Sequence, residues 1–112
     1  MTAPATLAAL ADRHGRAVAA AMIEVREIGE LDDRSVGAVV QPMHAASATR
    51  ARTLAELRTK IDIAERAIDL ARDVPAFALA GAMVLLSAVP DLRALARGLS
   101  TPRPRRRAAR GR

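Results

Sequence analysis

Residues 53–74, TLAELRTKIDIAERAIDLARDV, decide the fold, because capping, periodicity and charge spacing all predict one helix here. Thr53 and Glu56 have the spacing of a capping box, in which each side chain accepts a hydrogen bond from the other residue's backbone N–H. Acidic residues also precede basic ones by four positions, which favours ion pairs on the helix surface. Two such pairs are predicted: Glu56–Lys60 and Asp62–Arg66.

The apolar residues of this helix recur at alternating spacings of three and four, the a/d pattern of a helix–helix seam. The seam extends over nearly three heptads and consists of Leu54, Leu57, Ile61, Ala64, Ile68 and Ala71. A second apolar stripe on another side of the helix consists of Ile63, Ala67, Leu70 and Val74. Two stripes need two neighbours. We therefore predict that the seam of this central helix is a self-association contact. The protein is then expected to be a homo-oligomer, with a dimer favoured.

The composition favours a single all-α domain. The chain has 112 residues, and Phe77 is its only aromatic residue. A core of Ala, Leu, Val, Ile and Met packs well between closely spaced helices, whereas sheets favour aromatic and β-branched residues. The absence of Cys excludes disulfides, thiolate zinc sites and cysteine nucleophiles. We expect a helical domain over residues 1–99.

Three main helices are predicted, near residues 4–28, 53–74 and 76–98. We expect the first two to pack as an antiparallel helical hairpin. The third, an apolar helix kinked at Pro90, is expected to close the core. Residues 100–112 lack apolar periodicity and are rich in Pro, Arg, Ala and Gly, so we expect a disordered tail there.

The first helix has recognisable boundaries. Thr2 or Thr6 can accept a hydrogen bond at its start, and Gly29 is a typical C-terminal stop. Residues 30–52 are expected to form a connection with one or two helical turns, because Pro42 lacks a backbone donor and weakens a helix.

Residues 74–89 contain no charged side chain and allow two interpretations. As a helix, the run would span about 24 Å, against a hydrocarbon core of roughly 30 Å. In the first interpretation the helix is buried on all sides of a small bundle, and the protein is cytoplasmic. In the second, residues 74–90 are a single span in the inner membrane, and the basic tail predicts a cytosolic C-terminus.

The positive charge of the chain is concentrated at its C-terminal end. Six arginines follow Thr101 without an acidic residue among them: Arg103, Arg105, Arg106, Arg107, Arg110 and Arg112. The formal net charge is +6, so residues 1–100 are neutral as a group. The cluster predicts loose electrostatic binding of nucleic acid, another acidic partner or an anionic membrane surface, unless it is only a solvated tail. Without aromatic residues or a folded reader, sequence-specific recognition of nucleic acid is not expected.

No catalytic, cofactor or metal site is predicted. His14 and His44 lie far apart in the sequence without acidic neighbours at ligand spacing, so His14 is interpreted as a helix-face residue. Glu24, Glu27 and Glu30 are interpreted as a solvated face, because no Glu-x-x-His partner accompanies them. The sequence also lacks a Gly-rich phosphate loop, a Ser/His/Asp arrangement and a zincin motif.

The run LAELRTKIDIAERAIDLARD resembles the first helix of the all-helical chorismate mutases, whose pattern is Leu-x-x-Leu-Arg followed closely by Ile-Asp. The resemblance implies that Arg58 would bind a substrate carboxylate. That family also needs basic and polar active-site residues on its later helices, whereas residues 76–89 contain no Lys, Arg, Glu or Gln. We therefore expect no enzyme activity.

An Ala-rich first helix followed by a Thr-Leu-x-x-Leu-x-x-Lys helix start is similar to short, Ala-rich bacterial proteins often found in prophage-like regions. The motif is formed by Thr53, Leu54, Leu57 and Lys60. The resemblance extends over residues 7–97 and implies the helical architecture but no activity. The sequence as a whole predicts a non-enzymatic helical interaction or assembly protein that self-associates and has no cofactor or small-molecule substrate.

Overall fold

The computed structural model describes residues 6–100, which form four α-helices and no strand. The helices are α1 (Leu7–Ile28), α2 (Asp33–Ala48), α3 (Leu54–Leu70) and α4 (Phe77–Ser100). The all-α prediction is therefore confirmed. The structure has one helix more than the three main helices predicted, because α2 lies where a connection was expected.

The caps of α1 explain its boundaries. The Thr6 side-chain oxygen accepts a hydrogen bond from the Ala9 N–H at 3.1 Å, so Thr6 is the N-cap, while Thr2 lies outside the described residues. Gly29 ends the helix in the left-handed conformation, with φ 94°, which only glycine adopts readily. The buried side of the helix consists of Leu7, Leu10, His14, Val18 and Ala21.

α2 forms although Pro42 lies inside it. The Asp32 carboxylate caps its start by accepting a hydrogen bond from the Ser35 N–H at 2.8 Å, and this bond lowers the pKa of Asp32. One side of the helix is buried and consists of Val39, Pro42, Met43 and Ala46. The predicted connection over residues 30–52 is therefore corrected to a helix between two short turns. Burial of this apolar side offsets the hydrogen bond that proline cannot donate.

α3 begins where the capping box predicts, since the Thr53 side-chain oxygen accepts a hydrogen bond from the Glu56 N–H at 3.1 Å. The Glu56 carboxylate accepts its bond from the Arg52 N–H at 2.7 Å, one residue earlier than predicted. The helix ends at Leu70, short of the predicted end at 74, and backbone turns lead into α4.

The four helices pack as two antiparallel hairpins. Short turns join α1 to α2 and α3 to α4, so sequence neighbours lie side by side. α1 also contacts α3, and α2 contacts α4, whereas α1 and α4 do not touch within residues 6–100. The expected contact between the first helix and the central helix is thus present. The hairpins, however, are α1 with α2 and α3 with α4, whereas the prediction paired the first helix with the central helix.

Gly81 allows α3 and α4 to approach closely. A Cβ at this position would lie 3.3 Å from the Ala64 carbonyl oxygen and 3.2 Å from the Ala67 Cβ. Both distances are shorter than an ordinary van der Waals contact. A glycine on α4 therefore matches the small residues of α3 at this crossing.

α4 has one buried side and one exposed side. The buried side consists of Phe77, Gly81, Val84, Ala88 and Asp91. Within residues 6–100, α1 does not reach α4 and only α2 and α3 cover it, so the interpretation of a helix buried on all sides is wrong. α4 continues through Pro90 to Ser100, and the rest of the predicted tail, residues 101–112, lies outside the described residues.

Candidate interaction surface

An apolar groove lies between α3 and α4. It has a volume of about 150 Å³, and its lining consists of Leu57, Ile61, Leu85, Ala88, Val89 and Leu92. Leu57 and Ala88 are buried and form its floor, whereas the other four side chains are partly or largely exposed. A groove with an apolar lining and no charged side chain favours an apolar occupant.

The groove continues along both helices as a wider apolar surface. Leu54 and Ile68 are 58% and 44% exposed, and each lies seven residues from Ile61, on the same side of α3. Leu85 and Leu92 are also seven residues apart, on α4, and are 42% and 51% exposed. We call this surface the α3–α4 face and define it as Leu54, Ile61, Ile68, Leu85, Val89 and Leu92.

The outer side of α4 adds further apolar surface beside this face. Leu79, Met83 and Leu86 follow one another at spacings of four and three, so they lie on one side of the helix. Leu79 and Leu86 are 71% and 68% exposed. Contiguous apolar surface of this kind is typical of a site that contacts a partner protein or a membrane.

The structure divides the predicted self-association seam into a buried half and an exposed half. Leu57 and Ala64 are buried in the core of the chain itself, and Ile61 and Ala71 are half-buried against it. Leu54 and Ile68 remain exposed. The second stripe supplies much of the core contact of α3, since Ile63, Ala67 and Leu70 are buried and Val74 packs against the core. Periodicity identifies both stripes but not which one is covered.

A buried ion pair joins α3 to α4. Lys60 Nζ lies 2.7 Å from Asp91 Oδ2, and the two side chains are 1% and 7% exposed. Lys60 also donates to the Ser87 carbonyl oxygen at 3.4 Å, and Asp91 accepts a hydrogen bond from the Ala51 N–H at 3.0 Å. Burial raises the pKa of Asp91, but the bonds from Lys60 and Ala51 and the charge of Lys60 outweigh it and lower the pKa.

The two ion pairs predicted along α3 are not formed. Lys60 points into the core and pairs with Asp91 instead of Glu56. Arg66 Nη1 donates to the Ala11 carbonyl oxygen on α1 at 3.2 Å, so its guanidinium is directed away from Asp62. Tertiary partners thus replace neighbours on the same helix, because both cations lie on sides of α3 that other helices cover.

His14 lies on the buried side of α1, close to Arg66. Its side chain is fully buried, and neither ring nitrogen has a hydrogen-bond partner. Burial and the positive charge of Arg66 lower the pKa of His14 to about 4. The imidazole is therefore neutral at physiological pH and acts as an apolar core residue. Its spacing on the α1 stripe indicated burial, but the lack of a partner had no signal in the sequence.

Glu24 has a structural role that the interpretation of a solvated face missed. Its carboxylate accepts hydrogen bonds from the Asp32 N–H at 3.1 Å and from the Ser35 hydroxyl at 2.5 Å, which closes the turn between α1 and α2. Glu27 and Glu30 are exposed as expected.

Several other predicted residues lie at the surface or outside the described part of the chain. His44 and Arg58 are exposed. Within residues 6–100, no three His, Asp or Glu side chains come together as a metal-binding group. The predicted partner-binding arginines lie outside these residues: Arg103, Arg105, Arg106, Arg107, Arg110 and Arg112.

By length and composition alone, α4 could also cross a membrane. Within Phe77–Gly98, an 18-residue stretch has a mean hydropathy of 1.5, and 22% of that stretch is buried inside the bundle. A core helix of a soluble protein passes the same test, although it would usually be mostly buried. The low burial shows that the apolar surface of α4 is incompletely covered within the chain.

No protein-family model matches the chain, and neither does any curated protein or solved structure. Its function is therefore inferred from its own apolar face, buried ion pair and charges.

The variant Asp91→Asn is expected to lower the free energy of unfolding by about 3–5 kcal/mol, because it leaves the Lys60 ammonium buried without a countercharge. The double variant Lys60→Met/Asp91→Asn should recover most of this loss, since the asparagine oxygen still accepts from the Ala51 N–H. Urea denaturation at neutral pH measures both values. Asp62→Asn, on the exposed side of α3, is the control and should be close to wild type. An Asp91→Asn variant as stable as wild type would contradict the role of the pair.

The fold should lose stability as the pH falls from 6.5 towards 4. The pKa of His14 is about 4 in the folded protein, whereas a histidine in the unfolded chain has the usual pKa of 6.5. Between these two pH values the unfolded chain therefore binds the proton more readily than the folded protein does. The contribution of neutral His14 is complete above pH 6.5 and is lost progressively below it, by about 3 kcal/mol in total. Urea denaturation at several pH values measures this slope.

His14→Leu should flatten the slope between pH 6.5 and 4, because the variant removes the buried imidazole that gains a proton on unfolding. His44→Gln is the matched control, since His44 is exposed and its variant should keep the wild-type slope. Equal slopes in wild type and His14→Leu would show that another group causes the pH dependence.

Proposed function

We propose that the protein is a non-enzymatic helical interaction protein that self-associates through the α3–α4 face. The observation that carries this proposal is the exposed apolar surface along both helices of one hairpin. Leu54, Ile68 and Leu92 are each more than two-fifths exposed although the chain has a core of its own. Removing such surface from water is favourable by roughly 25 cal/mol per Å².

The architecture favours another helical hairpin as the covering element. Two antiparallel helices with an apolar groove between them can pack against a second such pair as a four-helix bundle. Gly81 lets α3 and α4 pack closely, and apolar side chains of both helices adjoin across the groove. Such a surface suits the side chains of another helix pair better than it suits a small molecule.

The Arg-rich tail adds an electrostatic function to this proposal. Its six arginines follow a body whose charges balance, so they supply the net positive charge of the protein. Self-association would bring two such tails together, and two weak contacts on one acidic partner bind more tightly than one. We therefore propose loose binding of nucleic acid or another acidic partner, in the cytoplasm, by residues 103–112.

A membrane-anchored protein is the second candidate function, and the length and hydropathy of α4 favour it. In this alternative α4 would lie in the inner membrane, with a cytosolic basic tail. Two contacts support the bundle instead. Removal of α4 would leave Lys60 without Asp91, and it would expose the small-residue surface of α3 that Gly81 covers. A chorismate-mutase-like enzyme is a remote alternative. Arg58 is exposed, and α4 has no charged residue before Asp91 to complete an active site.

The variant Leu85→Glu should dissociate the self-associated protein, because it places a charge in the apolar groove of the α3–α4 face. Met22→Glu on α1 is the matched control, since Met22 and Leu85 are 41% and 42% exposed. Sedimentation velocity should show Leu85→Glu as a monomer and Met22→Glu as wild type, with circular dichroism confirming equal helix content. Wild-type protein that remains monomeric at high micromolar concentration would contradict the proposal.

Cell fractionation separates the two candidate functions. Cells that express the protein are fractionated, and their membranes are washed with alkaline carbonate. Recovery in the supernatant supports the bundle, whereas retention in the washed pellet would favour the membrane anchor.

Truncation after residue 100 should abolish binding to duplex DNA, the probe for the tail, and leave self-association unchanged. Full-length protein should bind with a log–log salt slope of about −5 per tail, because each arginine that neutralises a phosphate releases a counterion. Fluorescence anisotropy with two unrelated duplexes measures affinity and slope. Unequal affinity for the two duplexes would contradict non-specific binding, and a flat salt dependence would exclude the tail as its cause.

A further inference from the structure

Exposed charged residues follow four residues of the α3–α4 face by one helical turn: Arg58, Glu65 and Arg72 after the α3 residues, and Arg93 after Val89 on α4. Of these, Arg58 and Glu65 are opposite in charge and lie on either side of Ile61. Arg58 and Glu65 are both exposed, and each follows a face residue by one helical turn, Arg58 after Leu54 and Glu65 after Ile61. Neither side chain takes part in an ion pair within residues 6–100. The positive and negative edge positions are seven residues apart, so they lie on the same side of α3.

The apolar residues of the face are arranged symmetrically about its centre. On α3, Leu54 and Ile68 lie seven residues before and after Ile61. On α4, Leu85 and Leu92 lie four before and three after Val89. Ile61 and Val89 both line the groove, and Lys60, next to Ile61, contacts Ser87 and Asp91 on either side of Val89, so the centres of the two patterns lie at about the same level of the hairpin.

The edge charges share this centre. Arg58 lies three residues before Ile61 and Glu65 four residues after it. A two-fold axis through the face at this level would therefore place each Arg58 opposite the Glu65 of a second copy. The same axis would place Leu54 opposite Ile68 and Ile61 opposite its own equivalent. Interfaces with two-fold symmetry need this kind of self-complementary pattern.

We infer that the α3–α4 face binds a second copy of this chain in an antiparallel, two-fold symmetric arrangement, with Arg58 of each copy opposite Glu65 of the other. This inference rests on the proposed self-association and specifies its geometry. If α3 instead packed parallel and in register on α3 of the other copy, Arg58 would lie against Arg58 and Glu65 against Glu65, and like charges in contact oppose association. Charge complementarity thus selects the antiparallel dimer.

The test uses full-length protein and two charge-reversal variants, Arg58→Glu and Glu65→Arg. Each variant alone brings like charges together twice, so its dimer dissociation constant should rise at least about tenfold. An equimolar mixture should regain wild-type affinity as a heterodimer, because Glu at 58 of one chain then faces Arg at 65 of the other. Sedimentation velocity over a dilution series gives the affinities, and native mass spectrometry with one tagged chain identifies the heterodimer.

The double variant Arg58→Glu/Glu65→Arg on one chain gives a second route to the same answer, since it should restore the homodimer. Arg26→Glu on α1 changes the net charge by the same amount as Arg58→Glu and should dimerise as wild type does. Circular dichroism verifies that every variant is folded, which the exposure of both positions favours.

The outcomes distinguish this inference from the proposed function. A monomeric wild type overturns both. A dimeric wild type whose single variants dimerise equally well, or whose mixture fails to regain affinity, overturns the antiparallel register and leaves self-association intact. Single variants that regain affinity only when mixed establish the register.

Discussion

The buried ion pair between Lys60 and Asp91 is the interaction on which the rest of the structure depends. It joins the only lysine of the chain to an acidic residue that follows a long uncharged run. Two charges removed from water need each other and additional hydrogen bonds, because each alone would be strongly destabilising. Ser87 and Ala51 supply those bonds. The pair therefore fixes the register of α4 on α3. Through the Ala51 N–H, Asp91 also holds the connection between α2 and α3.

This register determines what α4 shows to its surroundings. With Asp91, Ala88 and Val84 turned inward, the remaining apolar residues of the helix must face outward or sideways. Among the described helices only α2 and α3 cover α4, so part of its apolar surface stays exposed within residues 6–100. A small domain with few large apolar side chains has limited stability of its own. Burial of the surplus surface against another copy would connect the stability of the fold to its assembly.

The sequence predicted the local features of the fold better than the tertiary ones. The caps at Thr6, Gly29 and Thr53 depend on a few neighbouring residues, and all three are present in the structure. α2 was missed because Pro42 disfavours a helix locally, whereas the burial of its apolar side depends on the other helices. Lys60 was assigned to Glu56 for the same reason. Its true partner lies 31 residues away and could not be identified by helical spacing.

The candidate surface was predicted in part. Periodicity found the seam residues Leu54, Ile61 and Ile68, which remain available for contact. Periodicity could not show that Leu57 and Ala64 are buried in the core of the chain itself. A stripe of Leu, Ile and Ala has the same pattern whether the helix that covers it belongs to the same chain or to another. The contribution of α4 to the surface depends on which helices cover it, and no pattern within α4 contains that information.

The division into two hairpins also has a consequence for how the chain folds. Each hairpin joins helices that are adjacent in the sequence through a short turn, so contacts can form outward from the turn, each closing a loop only slightly longer than the one before. Local contacts of this kind are associated with rapid folding. This topology favours formation of the hairpins before their docking through α1 with α3 and α2 with α4. During synthesis the α1–α2 hairpin would emerge first, with its core side uncovered until Lys60 and Asp91 have both left the ribosome.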